Sequence, residues 1–210
     1  MNNKYIICVD TETTGLSIKD NEIIQLSACV IDPRTLEIKD DTFDVYIKPQ
    51  KPANWSKGAE AVHGITLKSL EDKIHPKVAW ESFVSYVNKY NSKGTTWTAP
   101  IIMGHNVAFD LKFLNILCKK YGPWDKKYDR QSLFSFIPEY LDTMILIFHW
   151  CYDTGVIKNL KLDSMIELLE MEKRKDHSAL DDVKVTAEIF IKFMKLTRRC
   201  AANVKFGKNK

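Results

Sequence analysis

Hydrophobic positions open this chain in strand-like runs and close it at helical spacing. Lys4–Asp10 (KYIICVD), Glu22–Asp32 (EIIQLSACVID) and roughly Lys39–Pro49 (KDDTFDVYIKP) are rich in β-branched and aromatic residues between turn formers, which predicts three strands. Asp32-Pro33-Arg34-Thr35 carries turn chemistry, so the second and third strands should form an antiparallel hairpin. From Pro76 the period lengthens, and Trp80, Phe83, Val84 and Val87 mark one face of a helix. Ala99–His105 (APIIMGH) reads as a short buried strand, followed by a helix with Phe109, Phe113, Ile116, Leu117 and Tyr121 on one side. Leu162, Met165, Ile166 and Leu169 predict another helix, and Val183, Ala187, Phe190 and Met194 the last. Strands first, then alternating helices and strand, imply an α/β layered domain with a mixed central β-sheet flanked by helices.

Two segments interrupt the periodicity: the polar loop 91–98 (NSKGTTWT) and the connection 122–138 (GPWDKKYDRQSLFSFIP). The latter is long for a compact domain, and long connections are often functional.

Composition narrows the class. The chain has 210 residues, 45% hydrophobic and 28% charged, enough for one globular domain with a full core. No apolar run approaches the roughly 20 residues of a bilayer span, and no secretory signal is apparent. Cys8, Cys29, Cys118, Cys151 and Cys200 are odd in number and lie far apart, so a reducing, cytoplasmic setting is expected rather than a disulfide framework or zinc site. The chain carries 31 Lys and Arg against 27 Asp and Glu. Residues 198–210 hold five of the basic residues and no acidic one, leaving a body of 26 against 27. We therefore set apart a domain at 1–197 and a flexible basic tail at 198–210, which suits either attraction to nucleic acid or simple solvation.

The chemistry gathers in three places. The first strand ends in Asp10-Thr11-Glu12-Thr13-Thr14-Gly15-Leu16, and side chains two apart share a face, so Asp10 and Glu12 present two carboxylates together. Such a pair fits a hard divalent cation, although D-x-E alone equally describes a solvated strand end. Gly104-His105-Asn106-Val107-Ala108-Phe109-Asp110 leads from strand to helix and puts Asp110 in a first turn, where the helix dipole alone would also favour it. Asp176-His177-Ser178-Ala179-Leu180-Asp181-Asp182-Val183 leads into the last helix, where an acidic pair can serve as a cap.

Taken together, D-x-E-T-T-G, then G-H-N-x-x-F-D, then H-x-A-L-x-D resembles the DEDDh branch of the DnaQ-like 3′–5′ proofreading exonuclease superfamily. Ala61–Thr66 (AVHGIT) is similar to a further element of that family, and Leu160–Ser164 to the segment before its penultimate helix. The resemblance runs from about Lys4 to Leu196 and implies a ribonuclease H-like fold. It implies metal ligands at Asp10, Glu12, Asp110 and Asp182, with His177 as general base. The five-residue interval from His177 selects Asp182 over its neighbour Asp181, which is left to capping or the surface. The implied cofactors are two divalent ions, Mg2+ with Mn2+ able to substitute, which would clamp the attacking and leaving oxygens of phosphodiester hydrolysis. A His with an ordinary pKa near 6.5 can take the proton of the attacking water.

The resemblance also suggests substrate contacts. Backbone groups of Thr13 and Thr14 would receive a 3′-hydroxyl, with Gly15 permitting close approach. Leu16 is either an apolar wedge against the last base or the start of a packed layer. His63 touches a phosphate or base, or else caps a short helix at 59–62. Asn106 holds either the site or the substrate backbone. Lys119, Lys120, Lys126, Lys127 and Arg130, with Trp124 and Tyr128, suit single-strand binding, or a solvated helix end beside core aromatics. Lys173-Arg174-Lys175, just ahead of His177, is the better candidate for phosphate contact.

The expected activity is removal of nucleotides from the 3′ ends of DNA, single-stranded or frayed, releasing nucleoside 5′-monophosphates. RNA 3′-end trimming by the same mechanism is the first alternative. A nucleic-acid-binding or polymerase accessory subunit is the second. The expected partners are nucleic acid and a polymerase or replication protein, with no membrane.

Overall fold

The computed structural model describes residues 4–151, 155–156, 159–172 and 178–202. Along the chain it forms β1 (Ile6–Thr13), β2 (Ile23–Asp32), β3 (Glu37–Tyr46), α1 (Lys57–His63), α2 (Pro76–Asn88), β4 (Ile101–Gly104) and α3 (Val107–Tyr121). These are followed by β5 (Trp124–Asp125), β6 (Arg130–Gln131), β7 (Leu141–Asp142), α4 (Thr143–Cys151), α5 (Leu162–Leu168) and α6 (Ala179–Ala202). The main sheet has the order β3-β2-β1-β4-β7. β2 runs antiparallel to β1 and β3, whereas β4 is parallel to both β1 and β7. The mixed sheet flanked by helices is the architecture the sequence predicts.

Every residue of β2 is buried, because both sheet faces are covered there. On one face α2 and α3 pack Trp80, Phe83, Val87, Phe113 and Leu114 against Ile7, Val9, Leu26 and Ile102. On the other, α6 sets Val183, Ala187 and Phe190 against Ile6, Cys8, Cys29, Ile31 and Met103. A third cluster joins α4, α5 and α6 through Ile147, Met165, Ile189 and Phe193. Truncating a large, fully buried ring such as Phe83 to Ala would cost about 3–5 kcal/mol. β3 alternates exposed and half-buried positions, and its Asp40, Asp41 and Asp44 discourage further pairing at that edge.

Several predicted details shift. The buried stripe of α3 is Val107, Asp110, Phe113, Leu114 and Cys118; Ile116, assigned to the inner face, is exposed. Connection 122–138 contains the β5–β6 hairpin and the buried residues Leu133, Phe134 and Ser135. α6 runs through the 197/198 boundary to Ala202, and Arg198 donates to the carbonyls of Arg34 (3.0 Å) and Pro33. Residues 203–210 lie outside the described residues. Cys8, Cys29, Cys118 and Cys151 are buried free thiols and Cys200 is exposed. Among the described residues no helix is long and apolar enough to cross a membrane.

Candidate active site

The parallel strands β1, β4 and β7 all end at the same edge of the sheet, and β1 is where pairing changes from parallel to antiparallel. In open α/β sheets such carboxyl ends are the usual ligand site. Asp10 and Glu12 are the only half-buried positions of an otherwise buried β1. The β1–β2 register shifts between Glu12 and Thr13, so regular pairing is interrupted immediately after the second carboxylate.

Asp110 is brought there by α3. The helix can approach β1 because Gly104 has no side chain: a Cβ would lie 2.9 Å from the Val9 carbonyl oxygen and 2.9 Å from Val107 Cβ. Asn106 makes the turn with φ 64°, a left-handed conformation that Asn tolerates. The Thr11 hydroxyl then donates to Asp110 Oδ1 at 2.7 Å, fixing a buried carboxyl across 99 residues of sequence.

Asp182 arrives on the opposite face. Ser178 caps α6, its Oγ accepting from Asp181 N at 3.3 Å and its carbonyl from Asp182 N at 3.0 Å. The Cys8 and Cys29 thiols approach the Val183 carbonyl oxygen at 3.5 and 4.0 Å, seating the first turn of α6 on β1 and β2.

Electrostatics shows that these groups sense one another. Glu12 is pushed up to about 7, first by burial and then by the negative charges of Asp182 and Asp110. Asp110 is also raised to about 7, chiefly by burial, against the lowering effect of the Thr11 hydroxyl and with Asp142 adding repulsion. It is Asp182, not Asp181, whose charge reaches Glu12. Among the described residues, no three Asp, Glu, His or Cys side chains already close on one ion position. An oxygen-only donor set whose members repel one another nonetheless matches what a hard divalent cation offsets.

The region around Thr13 is closely tied. Thr14 N donates to the Glu22 carbonyl at 2.9 Å and Thr14 O accepts from Ser56 N at 2.8 Å, so the backbone of Thr14 is already engaged. Thr13 Oγ1 donates to the Gly15 carbonyl at 2.7 Å. A Cβ on Gly15 would lie 2.7 Å from Asn21 Oδ1, so Gly15 admits the Asn21 side chain. Leu16 is 84% exposed and belongs to no packed layer. His63 Nδ1 accepts from Ile65 N at 3.0 Å, which assigns the proton to Nε2. That Nε2 is buried and, among the described residues, makes no hydrogen bond of ordinary geometry. Burial lowers the pKa of His63, with the Thr13 carbonyl and Glu60 acting against the shift. The helix runs over Lys57–His63 and is capped by Ser56 and Gly64, so His63 does not cap it; its Nδ1 instead fixes the turn to Ile65, with Nε2 on the side of the Thr13 carbonyl. The Asn106 side chain is exposed and makes no cap bond. His177 and Lys173-Arg174-Lys175 lie outside the described residues.

One residue escaped the sequence reading. Asp142, at the end of β7, accepts through Oδ1 from Asn106 N at 3.0 Å and Met144 N at 2.9 Å, joining the β4–α3 turn to the start of α4. Beneath it, Thr143 donates to the Gly104 carbonyl at 3.2 Å, and His105 is held by Thr143 Oγ1 at 3.0 Å and the Leu160 carbonyl at 2.7 Å. Leu141-Asp142-Thr143 ahead of an apolar run was the available signal, and a two-residue strand is too short to show periodicity.

Known proteins resemble this chain over most of its length. The chain is 29% identical over 199 residues to the PolC-type DNA polymerase III of Thermotoga petrophila, covering 94% of this chain but only 12% of that protein. It is 27% identical over 189 residues to ribonuclease T of Shewanella frigidimarina, covering 89% of this chain and 80% of the relative. Among solved structures, E. coli exonuclease I in complex with a dT13 oligonucleotide superposes with TM-score 0.72 at 18% identity, covering 95% of this chain and 43% of that one. The nuclease domain of 3′hExo, a DEDDh family member bound to rAMP, superposes with TM-score 0.68 at 22% identity and 92% coverage of both chains. The fold is thus the ribonuclease H-like one that the motif resemblance implied. Residues 7–190 match the exonuclease (RNase_T) family, and the chain belongs to that family of 3′–5′ exonucleases.

Proposed function

We propose that this chain is a metal-dependent 3′–5′ exonuclease that hydrolyses the terminal phosphodiester bond of DNA, preferring single-stranded or frayed ends and releasing nucleoside 5′-monophosphates. The observation that carries the reading is the gathering of Glu12, Asp110 and Asp182 from three elements at one sheet edge, where the charges of Asp182 and Asp110 add to burial in raising the Glu12 pKa.

Exonucleases of this family use divalent metal ions. Asp10, Glu12, Asp110 and Asp182 would hold two Mg2+ ions, with Mn2+ able to replace them. Bound there, the ions would supply an activated water and stabilisation of the leaving oxygen. His177 takes the proton of the attacking water as general base. Thr11 keeps the Asp110 carboxylate oriented, and Asp142 holds the turn that carries it. The His63 Nε2 proton is offered to a substrate oxygen near the Thr13 carbonyl, where the 3′-hydroxyl docks. Leu16 wedges against the last base, and Asn106 meets the backbone of the entering strand. Thr14 and Gly15 shape this pocket through the contacts that fix the loop.

The four buried free thiols suit the reducing cytoplasm. The chain spans about one eighth of the PolC-type relative, and because that relative is a DNA polymerase, association with a polymerase is also part of this reading.

A gel assay with matched 5′-labelled single-stranded DNA and RNA oligomers, in Mg2+, Mn2+ or EDTA, tests it. Stepwise, metal-dependent shortening of DNA is the expected result. Faster shortening of RNA would move the substrate to RNA 3′ ends with the mechanism intact. No shortening of either would replace the enzyme by a binding subunit.

A further inference from the structure

The far end of α3 carries the opposite chemistry from the carboxylate end. Tyr121 lies roughly 16 Å from Asp110 at 1.5 Å per residue of helix. There Lys119, Lys120, Lys126, Lys127 and Arg130 crowd around the β5–β6 hairpin with only Asp125 and Asp129 for company. Both acids are used internally. Asp125 Oδ1 accepts from Lys127 N at 2.9 Å and Tyr128 N at 3.2 Å, forming the turn. Asp129 accepts from Trp124 Nε1 at 3.2 Å and pairs with Lys119 at 3.5 Å. Among the described residues, the other four cations have no carboxylate partner.

Of the aromatic residues here, Trp124 packs against the core, as one alternative had it, whereas Tyr128 does not. Tyr128 is 57% exposed, with Lys127 Nζ at 5.0 Å and Arg130 Cζ at 4.8 Å from its ring centroid. Arg130 also lies 4.2 Å from the centroid of Phe136, which meets Trp97 edge-on at 5.0 Å. Trp97 is 60% exposed and lines an open hollow of about 320 Å3 with Lys4, Tyr5, Tyr90 and Lys93. The result is a continuous track of cations and rings leading to a hollow large enough for a base. Burial explains none of the exposed rings, and cations over exposed rings are suited to phosphates passing alongside stacked bases.

We propose that this track is a second single-strand-binding surface, holding the 5′ portion of a nucleic-acid strand whose 3′ end lies among the carboxylates. The inference rests on the exonuclease reading of that site. Exposed aromatic planes call for unstacked bases, which favours a single strand over a duplex. The track begins beyond the far end of α3, roughly 16 Å from Asp110, so several nucleotides must lie between the two sites and longer oligomers engage both best.

The full-length chain and its K126Q/K127Q/R130Q variant, together with Trp97→Ser, decide the matter using oligodeoxythymidines of 4 and 15 nucleotides. In Mg2+, kcat/KM for the 15-mer should fall about tenfold in the triple variant while the 4-mer stays within twofold. In EDTA, anisotropy should show weaker 15-mer binding, with the slope of log K against log salt reduced by about 2 for three lost phosphate contacts. Trp97→Ser, which removes a stacking plane without changing charge, should weaken 15-mer binding at least about fivefold. Unchanged 15-mer binding and cleavage in both variants would overturn the proposal, as would equal losses for the two lengths. Cleavage of the 4-mer by the parent reports on the carboxylate site alone, so failure of the exonuclease reading is seen separately.

Discussion

The two ends of α3 differ in how they are assembled. At its start, Asp110 is fixed by Thr11, 99 residues away, and feels Asp142 from another element, while it and Asp182 both act on Glu12. At its end, the hairpin cations and rings contact residues within a few positions of one another, apart from the reach to Trp97. The first arrangement exists only in the folded chain and concentrates like charge. The second is largely local and disperses charge over exposed surface. A site that must accept a polyanion needs its repulsion offset by metal, whereas a basic track needs no such help.

Asp10→Asn would break the carboxylate end most completely. Cleavage should fall by of order 10³-fold or more, with folding intact, as expected when a preorganised charge in the site is lost. Normal turnover in that variant would remove the two-metal reading. His177→Ala should lower kcat by roughly 10²–10⁴ if it is the general base; a loss below tenfold would make it a structural residue.

A third effect concerns stability. Glu12 and Asp110 are raised to about 7, from 4.5 and 3.8. Between those values the folded chain keeps protons that the unfolded chain has lost, so stability falls as pH rises towards 7. Thermal melts in EDTA should show Tm decreasing from pH 5 to 7.5, with added Mg2+ reversing the loss. A flat profile indifferent to Mg2+ would contradict the clustering of these groups. The smallest effect is expected at Asp181→Asn, which should leave cleavage within about twofold, while Asp182→Asn should disable it. Equal losses would show that the neighbouring carboxylate had been chosen wrongly.

The legibility of each end follows from the same contrast. The carboxylates of Asp10, Glu12, Asp110 and Asp182 could be picked out because the motifs that carry them resemble those of a known exonuclease family, even though their neighbours in space are remote in sequence. Central strands were readable because β1 and β2 are nearly continuous apolar runs. β7 was not, since Leu141 and Asp142 are held by pairing with Met103 and Gly104 rather than by any pattern of their own. α4, the run TMILIFHWC, is apolar on every side and shows no period. The inner face of α3 was also hidden: Asp110 is buried and Ile116 lies outside, in a helix whose close approach to β1 depends on Gly104. At the hairpin the letters were visible, but whether the rings were buried depended on packing.

Arg198, clasping the turn at Pro33 and Arg34, has a practical consequence. From Asp182 to Arg198, α6 spans roughly 24 Å at 1.5 Å per residue, so its two ends lie at opposite poles of the sheet. A surface anchor or fluorophore attached at the exposed Cys200 would sit at the pole remote from the carboxylates, keeping their edge of the sheet turned toward solution for single-molecule observation.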